Sequence, residues 1–242
     1  MILDFVKNNV LYGNKYRTSS EAVIISCYYN PEHNPFRLKA FNAFYESIKH
    51  LNHRIIECVI GSSEPELPIN DNIKRIYTAN LLWHKESILN KIISELPSKY
   101  KYVFWVDADV IFTNLNWLTD SVKVLKSENI MQPFEYCVHM DQDELTPSFD
   151  VDSIIRRSPK FPHGENSKVW RSFSANYATT HLSDSENYDM HGHVGFAWGA
   201  RREVLDSVQL YDKALIGGAD HIMAHAAAGQ ILHKCISKAF TE

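Results

Sequence analysis

Short apolar runs alternate with helical periodicities through the first half of the chain. AVIISCYY (Ala22–Tyr29) is an apolar run stopped by Asn30-Pro31, as expected of a strand buried on both faces. From Pro35, Phe41, Phe44, Ile48 and Leu51 recur at helical spacing with Lys39, Asn42, Glu46 and Lys49 between them, which predicts an amphipathic helix. HRIIECVIG gives a second strand that stops at Gly61, and after the proline-containing loop SSEPELPIND, IKRIYTA gives a third. Ile88, Leu89, Ile92, Ile93 and Leu96 then mark one face of a helix that Pro97 ends, and YVFWV (102–106) forms the next strand. This order predicts an α/β fold, a three-layer sandwich whose mostly parallel central sheet is covered by helices on both faces.

Leu118, Val122 and Leu125 predict a further helix, and NIMQPFEYCVHM (129–140) a further strand. From Asp141 to Met190 the pattern lapses into polar sequence broken by Pro147, Pro159 and Pro162. Helices are expected there at Phe149–Arg157 and where Trp170, Phe173 and Tyr177 share a face. A segment of that length outside the regular alternation is expected to shape a lid or a binding region. No internal repeat, low-complexity tract or linker divides the chain, so one domain is expected over residues 1–242.

Composition narrows the class. The 242 residues are 45% hydrophobic, enough for a sizeable core, and the formal net charge of −4 argues against a general nucleic-acid binder. Cys27, Cys58, Cys137 and Cys235 lie far apart with no C-x-x-C pair, which argues against a zinc ribbon and for reduced core thiols in a cytoplasmic protein. Asp4 and Lys7 interrupt the start before any signal-peptide core, and no run approaches the ~20 apolar residues of a membrane span.

Two groups of residues carry chemistry. The strand 102–106 runs into Asp107-Ala108-Asp109, and side chains two apart in a strand share a side, so both carboxylates can face one ligand. Hard cations such as Mg2+ or Mn2+ take such oxygens together with substrate phosphates, the alternative being a solvated strand end or a helix cap. Parallel sheets bind ligands beyond the carboxyl ends of their strands, where this pair falls. Towards the other end, Gly195, Gly199, Gly217 and Gly218 concentrate within MHGHVGFAWGARREVLDSVQLYDKALIGGADHIMAHA, in a chain with 9 glycines in all. GGAD places Asp220 at the start of a helix through Ile222, Met223 and Ala226, either as a functional carboxylate or as a helix N-cap.

These groups in this order, with VIISCYYNP ahead of them, resemble the nucleotide-sugar-dependent glycosyltransferases of the GT-A fold. GFAWGARREVL and IGGAD are similar to the C-terminal motifs of the galactosyltransferase and polypeptide N-acetylgalactosaminyltransferase type, and the resemblance spans Val23 to Leu232. It implies a lead-in over 1–21, a nucleotide-binding half over 22–139 and an acceptor-side half over 140–242. It further implies that Cys27, Tyr28, Tyr29 and Asn30 lie under the base and ribose of a nucleoside diphosphate sugar. Asp107, followed by Ala108, then touches the ribose or a metal-bound water, and Asp109 coordinates Mn2+ or Mg2+. Asp220 aligns with the carboxylate that takes the acceptor's proton in inverting members, while Gly217, Gly218 and Ala219 let donor sugar and acceptor come close. The implied acceptor is a glycan, a protein or another hydroxyl compound.

Two departures stand out. Ala219 replaces the glutamate of the family's E-D pair, and the sequence ends 22 residues after Asp220, which implies that the family's terminal segment is missing. His225 or His233 is left as the third metal ligand. His191 and His193, flanking Gly192 ahead of Gly195, are candidates for an acceptor or pyrophosphate contact. Lys85 opens a helix whose N-terminus attracts phosphate, so it is a candidate for the donor diphosphate or else a solvated lysine. Trp198 is a sugar-stacking candidate or a core residue, and Arg201 and Arg202 are expected on a solvated helix face. Two other classes stay open: a D-x-D phosphohydrolase, and a nucleotide-sugar-binding module without turnover.

Overall fold

The computed structural model describes residues 15–82, 84–141, 144, 150–153, 168–180, 188–214 and 217–239. Its central sheet has six strands, β1 (Ala22–Tyr29), β2 (His53–Ile60), β3 (Ile73–Thr78), β4 (Tyr102–Val106), β5 (Ile130–Met131) and β8 (Ala197–Arg201), in the order β3-β2-β1-β4-β8-β5. The first four neighbours pair in parallel, and β8 runs antiparallel between β4 and β5. Apart from the sheet, β6 (Tyr136–Val138) pairs antiparallel with β7 (Val169–Arg171). The expected strand 129–140 is therefore split between two sheets, at the turn that contains Pro133, which has no N–H for a ladder.

Helices cover both faces. On one side α1 (Pro35–Ile48) and α3 (Trp117–Val124) bury Phe41, Phe44, Ile48, Trp117 and Leu118 against Ile24, Tyr28, Ile55 and Phe104. On the other, α2 (Lys85–Glu95) buries Ile88, Leu89, Ile92 and Ile93 against Val23, Ile25, Ile56, Val103 and Trp105. The alternation of Val23 and Ile25 against Ile24 is the two-residue strand period expressed as two cores, which is why β1 reads as continuously apolar. Asn34 caps α1, its side chain accepting from Phe36 N–H at 2.9 Å, and Pro35 at the first helical position needs no such partner.

After β7 come the helices α4 (Phe173–Thr180), α5 (Arg202–Ser207), α6 (Ala219–Ala227) and α7 (Lys234–Ala239). A 3-10 turn spans Tyr188–His191. Trp170 does not join Phe173 and Tyr177 on a helix; it lies in β7, while the other two rings stack on α4 at 6.2 Å. Of the helix expected at 149–157, residues 151–153 are helical and the remainder falls outside the described residues, apart from Asp150. No described helix is long and apolar enough to cross a membrane.

Candidate functional site at the carboxyl edge of the sheet

The parallel strands β1 and β4 end on one edge, and the helix that follows a parallel strand returns with its N-terminus on that edge. Asp107 therefore follows β4 directly opposite Lys85, the first residue of α2. Lys85 Nζ lies 2.7 Å from Asp107 Oδ1 and 3.3 Å from Asp220 Oδ2. Asp220 sits in the first turn of α6, after Gly217 and Gly218 at φ of 105° and 88°, a left-handed backbone that admits glycine readily. A Cβ added to Gly195 would lie 3.3 Å from His193 Cε1 and 3.6 Å from Asp220 Oδ2, so these three residues border one space. The chain reaches this point through Phe196, a non-glycine residue at φ 72°, whose carbonyl accepts from Asp107 N–H at 2.8 Å. Such a conformation costs on the order of 1–3 kcal/mol and is held here by the surrounding pairing.

Side-chain exposures of 11% for Lys85, 29% for Asp107 and 24% for Asp220 leave the trio recessed yet open to a ligand. Asp109 is exposed at the rim, yet the protein around it is close enough for desolvation, helped by the Asp107 charge, to push its carboxyl up to about 6. Desolvation also raises the Asp220 carboxyl; Lys85 opposes that rise and Asp107 adds to it. Lys85 is desolvated too, but Asp107 and then Asp220 outweigh this and hold it protonated. Asp220 Oδ1 is enclosed and accepts no hydrogen bond from any described residue, a raised carboxylate with a lone pair unspent.

The β1 exit is shared between the core and this edge. Cys27 is half-buried within electrostatic reach of Lys85 and Asp107, and Tyr29 donates to the Leu81 carbonyl at 3.0 Å. Tyr28, expected beneath a nucleoside, instead points into the α1 core, its hydroxyl donating to Glu66 Oε2 at 2.8 Å, because its place in the strand period is the opposite face. Asn30 is also buried and donates to the same Glu66 oxygen at 2.8 Å. Ala108 is half-buried against the α1 side of the core.

Several other candidates lie elsewhere. Trp198 is 3% exposed, donates to the Val194 carbonyl at 2.7 Å and stacks on Trp105, so it has no free face for a sugar. Ala219 turns inward at 3% exposure, whereas Gly217 and Gly218 are exposed. Arg201 is the last residue of β8 rather than a helix-face residue, and it donates to the carbonyls of Leu125, Lys126 and Glu128 beyond α3. His191 and His225 are both fully buried and pack against each other, with Nδ1 and Nε2 3.3 Å apart, so His191 contacts no acceptor and His225 does not join Asp107 and Asp109. The helix explains the latter: five residues turn it through about 500°, which sets Asp220 and His225 on different sides of α6.

Sequence periodicity assigned no role to Glu86 or Arg37, and it placed Trp170 on a helix face rather than beside the site. Glu86 is buried next to Lys85 with its carboxyl raised by desolvation. Arg37 donates to the Tyr29 carbonyl at 2.9 Å and bears electrostatically on Asp109. Trp170, His139 and Phe196 pack around His193, with Phe196 stacked at 4.1 Å and Trp170 edge-on at 6.1 Å.

No protein-family profile matches the chain, and no curated protein matches it in sequence. Among solved structures it is similar to 4-diphosphocytidyl-2C-methyl-D-erythritol synthase from Anaerococcus prevotii, at 9% identity and a TM-score of 0.36 over 83% of this chain and 76% of that one. A protein assigned as a nucleotide-diphospho-sugar transferase, from Desulfovibrio desulfuricans, is similar at 12% identity and a TM-score of 0.32. That match covers 46% of this chain and 57% of the other, little more than half its length. Likenesses this distant assign no activity.

Proposed function

We propose that this chain is a glycosyltransferase of GT-A type that uses a nucleoside diphosphate sugar and a divalent cation. The observation that carries the reading is the meeting of Asp107, Lys85 and Asp220 at the carboxyl edge of a parallel sheet, with Asp109 beside them. Two carboxylates close enough for one to raise the other repel, and a hard cation relieves that repulsion, so Asp107 and Asp109 fit Mn2+ or Mg2+. Bound there, the cation supplies Lewis-acid stabilisation of a leaving diphosphate.

The chain's own residues supply the rest. Cys27, Tyr29 and Asn30 form the β1 exit beside which the nucleoside lies. Lys85 fixes a positive charge where the diphosphate passes, and its two aspartate partners hold it in place. His193 and Gly195 border the space for the sugar, Gly195 by having no side chain. Asp220 accepts the proton of the acceptor hydroxyl at Oδ1, and its raised basicity suits it to that task.

A second reading has one observation in its favour: Lys85 already neutralises both Asp107 and Asp220, as a metal-free binding module without turnover requires. Thermal shift with nucleoside diphosphate sugars, with and without Mn2+, separates the two. A donor at a hundred times its Kd stabilises by about 2.7 kcal/mol, a Tm rise of roughly 5–10 °C. Under the enzyme reading this rise needs Mn2+, Asp109→Asn abolishes it, and Asp220→Asn keeps it while losing sugar transfer and hydrolysis. Full activity in both variants would sink the assignment, and metal-independent binding without hydrolysis would establish the module.

A further inference from the structure

Behind Asp220, on another side of α6, side chains from three segments converge. His191 ends the 3-10 turn, His225 lies in α6, and His233 and Cys235 flank the start of α7. His225 Nε2 is 3.3 Å from His191 Nδ1 and 3.4 Å from Cys235 Sγ, and that sulfur is 3.8 Å from His191 Nδ1 and 3.1 Å from His233 Nδ1. The four ligand atoms all lie within 4.8 Å of one another. We propose that His191, His225, His233 and Cys235 bind a structural Zn2+, separate from the cation at Asp107 and Asp109.

Four of the six separations among these ligand atoms are those of a coordination shell, and the two from His233 to the other histidines fall within 4.8 Å. Zinc bonds of about 2.05 Å to nitrogen and about 2.3 Å to sulfur make a tetrahedron whose edges are about 3.3 Å between nitrogens and about 3.6 Å between nitrogen and sulfur. The nitrogen pair meets the first value at 3.3 Å, and the sulfur distances of 3.1, 3.4 and 3.8 Å bracket the second. Hydrogen bonding accounts for the cluster poorly. Counting His221 Nε2 at 3.3 Å, four imidazoles approach one sulfur, whereas a thiol has a single weak donor and accepts weakly. With the ion in place, Cys235 would bind as the thiolate, its proton released to solvent, and His221 is positioned to donate to that thiolate.

Three imidazoles and one thiolate close the shell with no position for substrate, the pattern of a structural rather than a catalytic zinc. Exposures of 0% for His191 and His225 and 7% for Cys235 shield three of the four ligands from water, and His233 is half-buried. The knot ties together α6, α7 and the turn leading to His193, so the segments presenting Asp220 and His193 are braced from behind.

The test uses the whole chain, purified without a metal-affinity tag, analysed for metal and then stripped and titrated with Co2+. We expect one zinc per chain and, with cobalt, tetrahedral d–d absorption plus a thiolate-to-cobalt charge-transfer band. Cys235→Ser should lose the charge-transfer band; should that variant not fold, the wild-type cobalt spectrum decides by itself. Asp109→Asn should keep the zinc and both bands, which separates this site from the donor cation and from the proposed transfer activity. Absence of zinc, a different metal in its place, octahedral cobalt without a thiolate band, or loss of the zinc in Asp109→Asn would each overturn the assignment.

Discussion

Two glycines in one short segment do opposite things. At Gly199 an added Cβ would lie 2.4 Å from the Phe104 ring, fixed in the core opposite it on β4. Gly199→Ala is therefore expected to lose about 1–3 kcal/mol by overpacking, read from the urea midpoint. At Gly195 the added Cβ meets only ordinary or slightly close contacts, with His193 and Asp220, and no strained backbone angle stands in the way. Gly195→Ala should keep stability within about 0.5 kcal/mol, the scale of a substitution away from packed features, and lower sugar-nucleotide turnover at least tenfold. Equal stability losses in both variants would show that the space beside Asp220 is packing rather than site. Glycine density marked this segment in the sequence, but whether a given glycine makes room for a ring or for a ligand depends on what lies across the sheet. In the same way Asp107, Asp109 and Asp220 were legible as carboxylates at element ends. Lys85, the partner shared by Asp107 and Asp220, was legible only as one of two options, because a lysine 135 positions from Asp220 is joined to it by topology alone.

At the scale of elements, the strand-helix alternation from Ala22 to Val106 was legible because β1, β2 and β4 are buried on both faces and each helix shows an apolar stripe, while the edge strand β3 was marked by its β-branched and aromatic residues after a proline-containing loop. Strand β8 was not: its residues, AWGAR, place Gly199 opposite the Phe104 ring and alanine at both 197 and 200, so neither propensity nor period marks it. Its last residue explains how it ends. Arg201 spreads its guanidinium over the carbonyls of Leu125 at 2.9 Å, Glu128 at 3.1 Å and Lys126 at 2.9 Å, the acceptors left over beyond the C-terminus of α3. Arg201→Ala should cost roughly 2 kcal/mol in a denaturant titration, and Arg201→Lys should recover only part, since a single ammonium cannot span that fan of acceptors. An unchanged midpoint in Arg201→Ala would mean that β8 and α3 are held together by packing alone. The histidine-cysteine cluster escaped the sequence reading for a related reason. His191 lies far from Cys235 along the chain, His225 and His233 were read as alternatives for the third ligand of the Asp107–Asp109 cation, and Cys235 was read as a reduced core thiol.

For the molecule as a whole, stability against pH is a contest between groups that burial shifts in opposite senses. Asp109, Asp220 and Glu86 have carboxyls raised by desolvation, so the folded protein takes up their protons before the unfolded chain does, and acidification through that window stabilises it. His53 works the other way. It is 1% exposed at the start of β2, on the edge of the sheet away from Asp107, and desolvation lowers its imidazole below the ordinary value. Its contribution is present above the unfolded-state value of about 6.5 and is lost as pH falls, at up to about 1.4 kcal/mol per pH unit, because only the unfolded chain is then protonated. His53→Gln removes this one term while leaving the three carboxyls and the site untouched. The slope of unfolding free energy between pH 7 and pH 5 should shift in the variant toward greater stability at acid pH, by up to that amount per unit, with turnover at pH 7 unchanged. Parallel curves for the two proteins would show that His53 takes up a proton in the fold as readily as it does in water, so that hydration rather than enclosure governs that edge of the sheet.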